Sequence, residues 1–122
     1  MTVERQVLGA LGERIAERWL RGKGWRLVGR RFRSGRRDID LIVEGEDLVV
    51  FIEVKARQGL EGGDPVEAVG WRKRRHLERS ARVWMDRYGR PGQAYRFDVI
   101  GVVVDGDSVR IRHVENAFVV GA

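Results

Sequence analysis

A chain of 122 residues with 43% hydrophobic and 8% aromatic residues has the size and composition of one globular domain, and its longest apolar runs, Leu48 to Ile52 and Val99 to Val104, are too short to span a bilayer. The absence of cysteine and the presence of only two histidines exclude thiolate chemistry, a disulfide framework and a zinc cage, so a metal would have to be held by oxygen. Twenty-four Lys plus Arg against eighteen Asp plus Glu leave a formal charge of +6, which points to polyanionic partners, nucleic acid first.

Met1-Thr2-Val3-Glu4-Arg5 carries none of the basic region, apolar stretch and small-residue cleavage site of a signal peptide, so the cytoplasm is the expected compartment and no membrane association is expected. Over residues 4–22, Leu8, Leu11, Ile15 and Trp19 recur at helical spacing and predict an amphipathic helix that stops at Gly22-Lys23-Gly24. Its neighbouring face holds Gly9, Gly12 and Ala16, small enough to let another backbone approach, with Glu13 at the edge of that face. Trp25 to Phe32 reads as a strand and Ser34-Gly35 as a turn. In the next strand Ile39, Leu41 and Val43 alternate with Asp38, Asp40 and Ile42. Gly45-Glu46 predicts a two-residue hairpin turn with glycine first, followed by a buried strand from Leu48 to Val54. Arg57 to Gly63 reads as a glycine-rich, mobile linker.

Asp64-Pro65-Val66-Glu67 has the form of a helix start: a capping aspartate, proline at the first helical position and a glutamate completing a capping box. The helix is expected to run to about Tyr88, with Val66, Val69, Leu77, Trp84 and Tyr88 inward and Arg72, Arg75, Arg79 and Arg82 outward. Gly89 to Gly92 ends it, and Tyr95 to Val104 and Val109 to Val114 are two further strands joined by Asp105-Gly106. The order helix, three strands, helix, two strands predicts one α/β domain over residues 1–122, a mixed sheet of about five strands flanked by helices. The strand after the long helix is expected to join parallel to an earlier one.

Chemistry concentrates at Asp40 on one strand and Glu53-Val54-Lys55 at the end of the next. If Glu44 pairs with Asp47 across the turn, Asp40 faces Phe51, Asp38 faces Glu53, and Asp40 and Glu53 become diagonal neighbours on one face. Residues two apart on a strand share a face, so Lys55 joins Glu53 while Val54 points into the core. Two carboxylates there would repel unless a cation lay between them, and hard oxygen ligands select Mg²⁺ or Mn²⁺. Such an ion polarises a phosphate oxygen and lowers the pKa of water, and Lys55 would orient that water or stabilise developing negative charge. Lysine is scarce here: Lys23, Lys55 and Lys73 are three among twenty-four cations, so a lysine beside two carboxylates looks chosen for its compact, more readily deprotonated ammonium. The competing reading is an exposed strand end with a Glu-Lys pair.

Ile39-Asp40 followed after a hairpin by Glu53-Val54-Lys55 resembles the PD-(D/E)xK nuclease superfamily, whose restriction-endonuclease-like core is helix, three strands, helix, strand. The resemblance covers nearly the whole chain. Gly12-Glu13 with Ala16 and Leu20, Asp38-Ile39-Asp40-Leu41-Ile42, Phe51-Ile52-Glu53-Val54-Lys55, Lys73, Arg96-Phe97-Asp98-Val99 and Asn116-Ala117-Phe118 look like the bacterial YraN family of predicted endonucleases, which is similar in turn to archaeal Holliday-junction resolvases. The match implies Asp40, Glu53 and the Val54 backbone carbonyl as metal ligands, Lys55 as catalytic lysine and Glu13 as an additional helix-borne acid. Ile39 replaces the motif proline, and Arg37-Asp38 stand where the family commonly has Gly-Glu.

Around this centre, Arg30, Arg31, Arg33, Arg36 and Arg37 are the expected phosphate contacts, with Lys73. Lys73 lies within about 20° of the centre of its helix's apolar stripe, a place for a charge only if it has a partner, either at the site or in an inward ion pair. Asp98 shares a face with Ile100 and Val102, as a paired structural acid or a site residue. Trp71 would stack on a base or be partly buried against the glycine-rich loop. His76 and His113 show no ligand pattern. The expectation is therefore a metal-dependent endonuclease acting on DNA ahead of RNA, including branched DNA, and a twofold dimer if it cuts two strands. The rivals are a non-catalytic DNA-structure-sensing module on the same fold and an RNA-processing nuclease, since phosphate contacts do not report the sugar.

Overall fold

The first helix, α1 (Val3–Gly22), meets the sheet with Gly12, Ala16 and Leu20, while Ile15 and Trp19 pack against the same core from the side. Gly12, Ala16 and Leu20 are buried, while Leu11 is 38% exposed and Ile15 and Trp19 are half-buried. The centre of the buried face is therefore displaced from the expected stripe of Leu8, Leu11, Ile15 and Trp19, of which Ile15 and Trp19 still pack against the core. Close approach is the reason: a Cβ added at Gly12 would sit 2.7 Å from the Cβ of Ala56, so a larger residue does not fit at that point of the helix. Nothing comparable lies over Gly9. Leu11, Ile15 and Trp19 instead line an open groove of about 570 Å³ with Ile111. Replacing Gly12 by Val forces that contact apart and should cost about 1–3 kcal/mol. A thermal melt should show a loss of roughly 5–15 °C, and an unchanged midpoint would contradict the close approach.

The computed structural model describes residues 3–35, 37–59, 63, 65–68 and 70–118, with the backbone alone for Val3, Arg37, Glu67, Ala68, Trp71 and Arg72. Five strands follow α1: β1 (Arg26–Ser34), β2 (Arg37–Glu44), β3 (Leu48–Gln58), β4 (Ala94–Asp105) and β5 (Ser108–Phe118), with the second helix, α2 (Trp71–Tyr88), between β3 and β4. They form one mixed sheet in the order β1-β2-β3-β4-β5. All neighbours are antiparallel except β3 and β4, which are parallel and need the crossover that α2 provides. This is the α/β arrangement expected from the order of elements.

Both faces of the sheet are covered, which explains the unbroken apolar runs in its central strands. On one face Ala16 and Leu20 pack on Leu41, Val43, Val50, Ile52, Ile100 and Val102. On the other, Leu77, Ala81 and Trp84 of α2 pack on Ile39, Ile42, Val49, Phe51 and Phe97. Among the described residues no helix is long and apolar enough to cross a membrane.

Three local expectations are corrected. In the β2–β3 hairpin Gly45 N donates to Leu48 O at 2.9 Å, so Glu46-Asp47 are the central turn residues and Glu44 pairs with Val49, two positions from the expected Asp47. Gly45 serves another end, because a Cβ there would lie 3.0 Å from the Trp25 ring. In the β4–β5 hairpin Asp105 pairs with Ser108, leaving Gly106-Asp107 as the loop, with Gly106 at φ 58° in the left-handed region a hairpin turn requires. β3 also continues through Arg57 to Gln58, pairing with β4, where a linker was expected.

A further correction concerns α2, which does not begin at Pro65. Pro65–Ala68 form a single 3₁₀ turn, and α2 starts after Gly70 in an extended conformation. Pro65 and Val66 are pressed onto β4, where a Cβ at Gly101 would meet them at 2.9 and 3.0 Å, and this tertiary contact overrides the local helix signal. Asp64 and Val69 lie outside the described residues, as do the side chains of Trp71 and Arg72. Leu77, Ser80, Ala81 and Trp84 are buried, and Arg75, Arg79 and Arg82 are exposed as expected, but Tyr88 is 57% exposed rather than inward.

Candidate active site

An even shift of the β2–β3 hairpin keeps the faces of the paired residues, because the side-chain period is two, but Ile39 packs with Ile42 under α2 rather than with Leu41 and Val43. The ladder closes at Leu41 opposite Ile52, so Asp40 and Glu53 are the next residues on each strand beyond its end. There Val54 N–H leaves the ladder and donates to Asp40 Oδ2 at 2.7 Å, which pins the carboxylate where β2 and β3 part.

Glu53 is only 4% exposed. Lys73, in the first turn of α2, makes a close ion pair with Glu53 Oε1, and Lys55 Nζ lies 3.9 Å from the same oxygen. The inward-placed Lys73 therefore finds its partner within the site. Glu53 Oε2 is buried without a hydrogen-bond partner among the described residues. Lys55 is partly exposed at the rim, with its ammonium at the mouth of the cluster.

These positions perturb the groups strongly. Burial, then the charge of Glu53 and that of Glu13, push Asp40 up to about 8, against the downward pull of Val54 N–H. Burial and the neighbouring Lys73 push Lys55 down, against Glu53 and Asp40. Burial pulls Lys73 down as well, but its ion pair with Glu53 outweighs it and the pKa rises. Perturbation by burial combined with named charges marks sites of proton or metal chemistry.

Do these donors suit a divalent ion? Among the described residues no three carboxylate or histidine side chains form a ready cage. Mg²⁺ does not need one, since it is usually held by one or two carboxylates and completed by water and substrate phosphate. Asp40, held near neutrality by burial and by its like-charged neighbour, and the Oε2 of Glu53, unpartnered among the described residues, are two hard oxygens that such an ion would satisfy.

Glu13 faces the site's edge but is bound to Arg31 Nε at 3.1 Å. Arg31 has φ 46°, uncommon for a residue other than glycine. Successive residues of a regular strand point to opposite faces, yet Arg30 and Arg31 both reach α1, Arg30 through two bonds to Glu17 at 2.7 and 2.9 Å. The arginine cluster before Asp40 is thus divided. Arg30 and Arg31 brace β1 on α1, Arg33 is exposed 4.0 Å from Asp38, and Arg36 and the side chain of Arg37 lie outside the described residues.

Asp98 is a structural acid. Only 1% exposed, it lies beside Ile52 on the face that α1 covers, away from Glu53. It accepts two bonds from Arg96, at 2.8 and 2.9 Å, one from Asn116 N at 2.9 Å, and pairs with His113 Nε2 at 2.7 Å. Burial raises its pKa, but these partners outweigh burial and hold it below the usual range. His113 had no assigned role from sequence, although the β4–β5 hairpin brings it within two positions of Asp98.

Residues 12–102 match the model of the uncharacterised protein family UPF0102, a span that includes Glu13, Asp40, Glu53, Lys55 and Lys73. A UPF0102 protein of Nocardia farcinica is 39% identical over 116 residues, covering 94% of this chain and 91% of that protein. One from Rhodococcus jostii is 41% identical over 112 residues, covering 91% and 95%, and one from Alkaliphilus metalliredigens is 39% identical over 111 residues, covering 91% and 96%.

Proposed function

The chain belongs to the uncharacterised protein family UPF0102, and on that premise we propose that it is a metal-dependent endonuclease of the PD-(D/E)xK type, hydrolysing phosphodiester bonds in DNA, branched or Holliday-junction-like DNA included. The observation that carries this reading is the convergence of Asp40, Glu53 and Lys55 at one strand end, with Asp40 pushed up to about 8 and Lys55 pushed down. A surface salt bridge has no need of a buried and a half-buried acid beside a depressed lysine.

Asp40 and Glu53 would hold Mg²⁺ or Mn²⁺, with the Val54 carbonyl as a backbone ligand. A bound divalent ion supplies Lewis acidity toward the phosphodiester. Lys73 fixes Glu53 from the helix side, so the carboxylate keeps one orientation. Lys55, at the mouth, would orient the attacking water or stabilise charge developing on the phosphate. Glu13 adds negative charge at the rim and holds Arg31, and the exposed Arg33 is, among the described side chains of its cluster, the freest for phosphate contact.

The test is a substrate panel of supercoiled, linear, single-stranded, flapped and four-way DNA, with RNA, incubated with and without Mg²⁺ or Mn²⁺. Metal-dependent cleavage of at least one DNA form is expected. Binding without cleavage on every substrate would favour the non-catalytic DNA-structure-sensing module, and cleavage of RNA alone the RNA-processing nuclease.

A further inference from the structure

Beyond Lys73, one edge of α2 runs along β1 and encloses a groove. Ser80 Oγ donates to Ser34 O at 3.3 Å and ties the two elements together. Near the site the groove forms a cleft of about 440 Å³ lined by Ser34, Gly35, His76 and Arg79. His76 and Arg79 follow Lys73 at three-residue steps, each a rise of about 4.5 Å, and Arg79 has no acidic partner among the described residues. Further along lies a second cleft, of about 370 Å³, lined by Phe32, Trp84, Tyr88 and Arg90 among others.

The second cleft is aromatic and cationic. Tyr88 is 57% exposed, meets Phe32 edge-on at 6.3 Å and lies 5.6 Å from Trp84, and Arg87 sits 5.9 Å from the Phe32 ring. The carboxylate in this cleft, Glu44, is met by Arg26 and by Arg90 at 3.6 Å. From Lys73 to Tyr88 the helix rises about 22 Å, the reach of a few extended nucleotides. A basic track leading to an exposed ring is how proteins hold single strands, because every unpaired base offers a π-face while bases in a duplex are already stacked.

We infer that the groove between β1 and α2 carries a single-stranded arm of the nucleic acid away from Glu53, with phosphates passing His76 and Arg79 and a base stacked on Tyr88. This rests on the nucleic-acid reading above and gives its substrate a class, DNA with a free or splayed single strand.

The experiment measures binding, not cutting: fluorescence anisotropy of a labelled oligothymidylate of about ten nucleotides and of a blunt duplex of equal length, in EDTA. Tyr88→Ala should weaken oligothymidylate binding about tenfold while changing duplex binding no more than about twofold. Tyr88→Phe should restore it, and Tyr88→Leu, which keeps apolar packing, should not. Arg79→Ala should flatten the salt dependence for the oligothymidylate by about 0.7 in log–log slope, one phosphate contact. Wild-type affinity in Tyr88→Ala or Tyr88→Leu, or equal losses on both probes, would overturn the inference. No binding of either probe by the wild type would overturn it together with the nucleic-acid reading. Tyr88-dependent binding without cleavage on any substrate would leave the groove standing and remove the nuclease.

Discussion

Lys55→Ala should fold like the wild type, bind Mn²⁺ at least as well, and cleave DNA slower by on the order of 10² or more. Folding should survive because Lys55 is partly exposed and its neighbour Lys73 already neutralises Glu53, so removing it relieves a like-charge contact. Metal affinity should hold or rise, since a positive charge leaves the vicinity of two carboxylates. Only the chemical step is expected to lose a group, the ammonium proposed to face the reacting phosphate. Single-turnover cleavage and calorimetric Mn²⁺ binding separate these effects. Undiminished cleavage would remove Lys55 from the chemistry, and lost metal binding would make it a support of the site instead.

The second large effect is expected at Asp40. Its pKa in the metal-free fold, about 8, lies above the roughly 3.9 of an unfolded aspartate, so between these values the native state holds a proton that the unfolded chain releases. Its contribution to stability is fully present below about pH 4 and is lost as pH rises through about 8. Asp40→Asn keeps an oxygen to accept Val54 N–H and carries no charge, so it lacks that decline. In EDTA at about pH 9 it should be more stable than wild type by at least about 1 kcal/mol, and near about pH 5 this advantage should shrink. Mn²⁺ should protect the wild type thermally, more strongly as pH rises because the ion displaces a proton, and should not protect Asp40→Asn. Parallel pH profiles in EDTA and equal protection by Mn²⁺ would contradict the site.

The sequence made the proposed catalytic face legible for a reason that survived its own error. The turn was misplaced, yet an even shift leaves Glu53 and Lys55 on one face of β3 and Asp40 just beyond the end of the ladder. Lys73 was legible as a charge out of place on an inward face. The centre of the α1 interface was not, because hydrophobic periodicity finds large residues, whereas Gly12 is required by the closeness of Ala56. The late start of α2 depends on Pro65 and Val66 meeting Gly101, thirty-five residues or more away in sequence, a contact no local cap signal contains. The division of the arginine cluster depends on the left-handed backbone of Arg31, which nothing in its residue type announces. The pairing of Asp98 with His113 was within reach from the hairpin register, had buried acids been matched to partners across it.

Cleavage of flapped and four-way DNA by purified wild type, with Mn²⁺ or with EDTA and beside Asp40→Asn, tests the central claim most directly. Cutting by the wild type only in the presence of metal, and none by Asp40→Asn, is the expected result. Cutting that persists in EDTA, or an Asp40→Asn protein that cuts as fast as the wild type, would contradict it.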